Sequence, residues 1–219
     1  MADIFNEVDE EVRRERLKKF WDQYSIYIIA LAVLIVAGVG GWRGYQYWEN
    51  KRSQEAGARF ERAVTLSEEN KNAEAVQEFN AIAADAPGGY RTLARLRAAA
   101  ALSETDAKAA VAAYDAIATD TSLDQNFRDL AALRGGILLV DTASFDDVRK
   151  RLEPLAEPSR AFRHTAREML ALSAWRNGDA TAARRYVEMV SNDGETPQGV
   201  RGRMDMLSAL LAGSSKAGS

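Results

Sequence analysis

Two different hydrophobic patterns divide the chain. Residues 23–42 form a run of twenty residues without a charged side chain, bounded by Asp22 and Arg43. After Ser53, apolar residues recur instead at intervals of three and four, which is the spacing of one helix face. No segment shows a convincing alternation of apolar and polar residues over the length of a strand. The sequence therefore predicts an all-α protein.

The uncharged run has the length and the flanks of a membrane-spanning helix. Twenty residues at about 1.5 Å per residue cover the roughly 30 Å hydrocarbon core of a bilayer. Aromatic rings favour the headgroup layers, and we expect interface anchors at Trp21, Tyr24, Trp42 and Trp48. We predict a transmembrane helix at 23–47, embedded in a lipid bilayer.

A cleaved signal peptide is the competing interpretation. Signal peptides begin with a short basic segment and contain about 7–15 apolar residues. Here the segment before the run is long and carries acidic residues such as Asp3, Glu7 and Glu11, and the apolar run is longer. The sequence favours a retained anchor.

Basic residues beside the run predict its orientation. Five precede it closely and three follow it: Arg13, Arg14, Arg16, Lys18 and Lys19, then Arg43, Lys51 and Arg52. This excess predicts a cytoplasmic segment at 1–22 and places the rest of the chain across the membrane. Phe5, Val8 and Val12 share one helical face, so 1–22 is a candidate amphipathic helix on the inner leaflet. A partly ordered lead-in is the alternative.

Small residues lie along one side of the predicted span. Ala30, Ala37, Gly40 and Gly44 fall near one helical face, where small side chains let another span approach closely. They form a candidate face for packing against a membrane partner. Because small residues are common in any membrane helix, ordinary composition is the alternative explanation.

The helical spacing after the run repeats. Large residues at Phe79, Tyr114, Leu152 and Tyr186 are separated by 35, 38 and 34 residues. A period near 34 residues is typical of helix–turn–helix units that stack into a solenoid. The sequence predicts an α-solenoid of tetratricopeptide-like helix pairs at 48–212.

Each unit is expected to hold an A helix, a short turn and a B helix. The A helices are predicted at 53–68, 90–103, 124–140 and 160–176, the B helices at 72–84, 106–118, 145–156 and 179–191, and a closing helix at 198–212. Polar residues at the A-to-B joints, from Asn72 to Asp179, offer N-caps. Pro154 should kink or shorten the third B helix, and the tail 213–219 is predicted to be disordered.

Composition argues against several classes of function. The formal net charge of −3 argues against a general nucleic-acid binder, and the absence of cysteine removes thiolate ligands and nucleophiles. His164 is the only histidine, and no nucleophile-elbow motif accompanies Ser159 or Ser173. We expect no catalysis, no metal, no cofactor and no small-molecule substrate.

A basic stripe at helical spacing is a candidate docking surface for an acidic partner. It consists of Arg160, Arg163 and Arg167. A solvated face in which these arginines pair with Glu157 and Glu168 is the alternative, and the sequence favours it.

Residues between Phe20 and Phe60 carry a resemblance to a known family. The features are Phe20-Trp21, the glycine-containing run, Gly41-Trp42-Arg43, Tyr47-Trp48 and the Ala56–Phe60 helix. The arrangement is similar to the YfgM-like family, the ancillary subunits of the SecYEG protein translocon. Downstream, Ala75, Phe79 and Pro87 resemble degenerate tetratricopeptide repeats.

The resemblance implies a location and partners. A single-pass protein of the bacterial inner membrane would carry its repeat domain in the periplasm. It would associate with SecYEG and with a PpiD-like chaperone, and it would assist newly exported proteins as a scaffold or chaperone. An accessory subunit of another membrane complex, respiratory or photosynthetic, is one alternative. A coordinator of the cell envelope or of division is another.

Overall fold

Every regular element in the described part of the chain is helical, which confirms the prediction of an all-α protein. The computed structural model describes residues 2–216, and for 2–13, 15–17, 28 and 214–216 it describes the backbone only. In chain order the helices are α1 (Ala2–Glu68), α2 (Asn72–Asp85), α3 (Gly88–Ser103), α4 (Ala107–Ala118), α5 (Gln125–Leu139), α6 (Phe145–Leu152), α7 (Arg163–Arg176), α8 (Ala180–Ser191) and α9 (Gln198–Lys216).

The chain divides into two compact units, Met1–Gln54 and Glu55–Ser219. The first unit contains most of α1. The segment Lys18–Glu68 of this helix includes an apolar stretch with a mean hydropathy of 2.2, none of which is buried within the protein. By length and composition, α1 alone among the described helices can cross a membrane.

The second unit is a stack of helix pairs. The end of α1 and helices α3, α5 and α7 are the A helices, α2, α4, α6 and α8 are the B helices, and α9 closes the stack. Besides the contacts between consecutive helices, α3 contacts α5, α5 contacts α7, and α7 contacts α9. Successive B helices in the described part do not contact each other to the extent that successive A helices do. The A helices therefore form the inner layer of the stack.

Turn chemistry at the joints agrees largely with the sequence. Asp106, Ser144 and Asp179 each cap the following B helix by accepting a backbone N–H, and Gly178 adopts a φ of +81°. The first joint, Asn70 to Asn72, supplies no side-chain cap, because Lys71 occupies the N-cap position of α2 without a capping hydrogen bond.

Two helix bounds differ from the predicted ones for identifiable reasons. The third B helix is shortened, as expected from Pro154: α6 ends at Leu152 and a 3-10 turn follows at Glu153–Leu155. The A helix predicted from residue 160 begins at Arg163, because turn hydrogen bonds hold the preceding residues. Arg160 therefore lies in a turn and not on a helical stripe.

The closing helix is longer than predicted. It continues to Lys216, four residues beyond 212 and into the segment predicted to be disordered. Leu207 and Leu211 are buried and hold the preceding turns in place. Extending an existing helix fixes one residue at a time, so the glycine and serines that follow do not end it. Residues 217–219 lie outside the described part.

The buried face of the first two B helices begins at an alanine and not at the larger valine that follows it. Ala75 and Ala110 are fully buried, whereas Val76 and Val111 are only partly buried. The buried triplets follow i, i+4, i+7 spacing: Ala75, Phe79 and Ile82; Ala110, Tyr114 and Ile117; Val148, Leu152 and Leu155; Ala183, Val187 and Val190. In three of four pairs alanine opens the triplet, because a small side chain lets the neighbouring helix approach.

Gly136 on α5 permits one such close approach. A β-carbon placed there would lie 2.8 Å from Cγ of Leu152 on α6, and the Leu152 side chain is fully buried. Close-packed interiors do not accept an added methyl group without moving a side chain or the backbone.

An ion-pair network joins the last helix pair to the turn before α9. Oδ2 of Asp193 accepts hydrogen bonds from Nε of Arg163 at 2.9 Å and from Nη1 of Arg167 at 2.7 Å. Nε of Arg167 also donates to the Ala156 carbonyl at 2.8 Å, and Arg163 pairs with Glu195 as well. The Arg167 side chain is only 4% exposed, so its charge depends on these partners.

The Gly136→Ala substitution should destabilise the repeat unit. Overpacking against Leu152 outweighs the better helix propensity of alanine, with a net loss of about 1–2 kcal/mol. Thermal unfolding of the full chain in mild detergent, followed by circular dichroism, measures the loss as a lower Tm. Gly202→Ala in α9 is the matched control: nothing lies within 4 Å of its added β-carbon, so the Tm should rise. Equal effects of the two substitutions would contradict the close approach.

The Asp193→Asn substitution should cost about 2–4 kcal/mol at neutral pH, because it leaves the buried Arg167 without its carboxylate. Hydrogen bonds from Arg163 hold the pKa of Asp193 well below its usual range. The unfolded chain therefore takes up the proton first, and this stabilisation is complete above about pH 4 and is lost as the pH falls further.

Unfolding at pH 7 and pH 3 checks this linkage. The difference in Tm between wild type and Asp193→Asn should shrink at the lower pH. Asp146→Asn provides the control, because the Asp146–Arg149 pair is exposed and contributes at most about 1 kcal/mol. A pH-independent difference would show that Asp193 does not act through its charge.

Candidate protein-binding groove

A groove lies between α3 and α5 on the inner layer of the stack. Its cavity of about 310 Å³ is lined by Leu93, Leu96, Arg97, Ala100, Tyr114, Leu130 and Arg134. This volume is at the low end for pockets that hold small molecules. We refer to these seven residues as the α3–α5 groove, which has room for a few side chains.

The helical repeat explains why these residues meet. The α3 residues are spaced so that they fall on one helix face, and Leu130 and Arg134 are one turn apart on α5. Leu93 is 42% exposed, and Phe127, one turn before Leu130, is 36% exposed. Large apolar side chains on the inner layer thus remain uncovered.

Tyr114 of α4 forms the floor of the α3–α5 groove. Its ring packs in a core cluster with Ala99 and Ala131, and a β-carbon added at Gly135 of α5 would lie only 3.3 Å from Cβ of Tyr114. The residue is only 4% exposed, yet its hydroxyl has no hydrogen-bond partner among the described residues. Burial raises the pKa of this hydroxyl, and the charges of Arg134 and Arg97 oppose the rise.

The arginines of the groove differ from their neighbours. Arg97 and Arg134 are exposed and make no hydrogen bond or ion pair within the described part of the chain. Other arginines on the same helices are engaged: Arg91 donates to the Ala86 carbonyl, Arg95 to Asp120 at 2.6 Å, and Arg128 to Gln125. No acidic side chain lines the groove among the described residues. Its positive charge is unbalanced.

A second cavity beside α1 and α2 is larger but less suited to recognition. It measures about 580 Å³ and is lined by both basic and acidic side chains, including Arg62, Glu69 and Glu78. Arg59, which also lines it, is paired with Asp85 at 2.9 Å. Charged side chains of both signs line this cavity, whereas those that line the α3–α5 groove are arginines.

The arginines that the sequence offered for docking bind acidic side chains within the domain. Arg160 pairs with Asp129 at 3.2 Å, and Arg163 and Arg167 pair with Asp193. The pairing expected with Glu157 and Glu168 is wrong; Glu168 is buried and accepts from Arg203 at 2.9 Å. Docking of a partner at these arginines stays a prediction, and the burial of Arg167 weighs against it.

The candidate residues of the apolar stretch are all exposed. Ala30, Ala37, Gly40 and Gly44 have no cover, and a β-carbon at either glycine would meet nothing within 4 Å. The predicted anchors Trp21, Tyr24, Trp42 and Trp48 are between 41% and 62% exposed. The surface of this stretch is free for lipid or for another helix.

His164 is placed as a packing residue. Its side chain is 12% exposed, and Nδ1 lies 3.2 Å from Oγ1 of Thr196. Burial lowers the pKa of the imidazole, which favours the neutral form. In the described residues, no group of three metal-ligating side chains stands close enough to hold a metal ion.

The sequence interpretation missed the key side chains of the α3–α5 groove. Arg97, Tyr114 and Arg134 belong to different helices, and the repeat spacing marks Tyr114 only as a large residue of its helix pair. One signal was present in the sequence: α3 carries three arginines and no acidic residue, although the chain as a whole is slightly acidic.

Comparison with known proteins agrees with the repeat architecture. The model of a family described as a tetratricopeptide repeat-like domain matches residues 18–207, which includes both the apolar stretch and the helix pairs. No curated protein and no solved structure matches the chain. By this match over most of its length, the chain belongs to the tetratricopeptide repeat-like domain family.

Proposed function

We propose that the chain is a membrane-anchored, non-catalytic subunit that binds proteins at the SecYEG translocon. The observation that carries the proposal is the union, in one chain, of a wholly exposed apolar stretch and a tetratricopeptide repeat-like domain. Stacked helix pairs typically serve as extended surfaces for binding proteins.

Exposure of the apolar stretch supports anchoring in a membrane. Large side chains such as Ile26, Leu34 and Val36 are 69–71% exposed, within a continuous run. Soluble proteins rarely expose apolar patches of more than a few hundred Å², whereas lipid chains cover such a surface fully. The family match begins at residue 18 and therefore includes the stretch.

The likeness to the YfgM-like family supports the location and the partners. The basic residues before the span favour a cytoplasmic N-terminus, with the repeat domain in the periplasm. There the domain would bind a PpiD-like chaperone or newly exported proteins. The span would hold it beside the translocon through Ala30, Ala37, Gly40 and Gly44.

Photo-crosslinking in native membranes tests the proposed position beside the translocon. A photoreactive residue at Ala37 or Gly40 should give adducts with translocon subunits or a PpiD-like chaperone, identified by mass spectrometry. Ile35 is the control because, at 3.6 residues per turn, it lies on the opposite side of the helix and is exposed. Its yield should be several-fold lower.

Two results would contradict the proposal. Adducts only with a respiratory, photosynthetic or division complex would assign the protein to that assembly. Equal yields of translocon adducts from Ile35 and Gly40 would show that the small residues do not form a packing face.

A further inference from the structure

We propose that the α3–α5 groove binds an extended segment of a partner polypeptide in which an acidic side chain is flanked by leucine-sized side chains. The inference rests on the proposed function only in that the repeat domain binds protein. It adds the place and the chemistry of recognition.

Three hydrogen-bond donors of the groove define the acidic position. Arg97, Arg134 and the hydroxyl of Tyr114 all line the same groove, and none has a partner in the described part of the chain. A carboxylate accepts hydrogen bonds from all three groups, and those from guanidinium are among the strongest in proteins.

Apolar side chains on both helices define the neighbouring positions. Leu93 and Leu96 lie on the α3 side and Leu130 on the α5 side, with the exposed Phe127 one turn away. A bare anion would leave this apolar surface in water. A segment with leucine-sized side chains beside its acidic residue would cover it.

The dimensions favour an extended chain over a helix. A helix with its side chains is 10–12 Å wide, whereas the cavity of the groove measures only about 310 Å³. The cavity therefore has room for a few side chains, not for a helical segment with its backbone. Nucleic acid is disfavoured because the chain carries a net charge of −3.

Peptide binding to the full chain in lipid nanodiscs tests the inference. The probe is a fluorescent decapeptide, acetylated and amidated, with a Leu-Glu-Leu centre in glycine–serine flanks. Its comparison partners carry glutamine in place of glutamate, or alanines in place of the leucines. We expect the acidic peptide to bind about tenfold more tightly than either.

Variants then assign the donors. Arg97→Gln and Arg134→Gln should each weaken binding of the acidic peptide about tenfold, and Tyr114→Phe should weaken it several-fold. Arg149→Gln is the charge-matched control, because Arg149 lies on B helix α6, is exposed, and pairs with Asp146. It should leave the affinity unchanged within twofold.

Stability separates recognition from a structural role. Because Arg97, Arg134 and the Tyr114 hydroxyl have no partner within the described chain, their three variants should keep the Tm of the wild type. Tyr186→Phe is the matched contrast, since the Tyr186 hydroxyl donates to Glu153 at 3.2 Å, and it should lower the Tm without changing peptide affinity.

Several outcomes would overturn the inference. They are equal affinity for the acidic and glutamine peptides, unchanged affinity in Arg97→Gln and Arg134→Gln, or binding only to a peptide with a free carboxyl terminus. Self-association that disappears in Arg97→Gln would instead make a second copy of the chain the occupant. Crosslinking through the span does not involve the groove, so loss of peptide preference with retained translocon adducts would overturn this inference alone.

Discussion

Close approach between neighbouring helices is the constraint on which the repeat unit depends. Alanine occupies the first buried position of three of the four B-helix triplets, and Gly135 and Gly136 let α5 approach both α4 and α6. Few large side chains are available to fill wider gaps, so the helices must lie near each other. This close spacing fixes the rotation of each A helix about its own axis. That rotation determines which of its residues face the inner layer.

The rotation of the A helices divides their arginines into two groups. Arg163 and Arg167 lie between the last helix pair and the turn before α9, where both form ion pairs with Asp193. Arg97 and Arg134 face the inner layer, where no carboxylate of the described chain meets them. The first set stabilises the stack, whereas the second leaves positive charge beside exposed leucines. The role of an arginine on an A helix therefore depends on which face of the helix carries it.

Much of the fold could be predicted from the sequence, because the apolar spacing and the turn residues both repeat near 34 residues. The rotation of each helix about its own axis was harder to predict. Val76 and Val111 are larger and more apolar than the alanines before them, yet the packing buries Ala75 and Ala110 more completely. Arg160 looked helical, yet α7 begins at Arg163. The groove could not be predicted, since Tyr114 and Arg134 meet only after three helices are packed.

The central claim is that partner polypeptides bind on the inner layer of A helices. The most direct test is photo-crosslinking in native membranes from Leu93, in the α3–α5 groove, and from Ala112, an exposed residue on B helix α4. Leu93 should yield adducts with other polypeptides at several times the level of Ala112. Equal yields, or adducts from Ala112 alone, would contradict recognition at the inner layer.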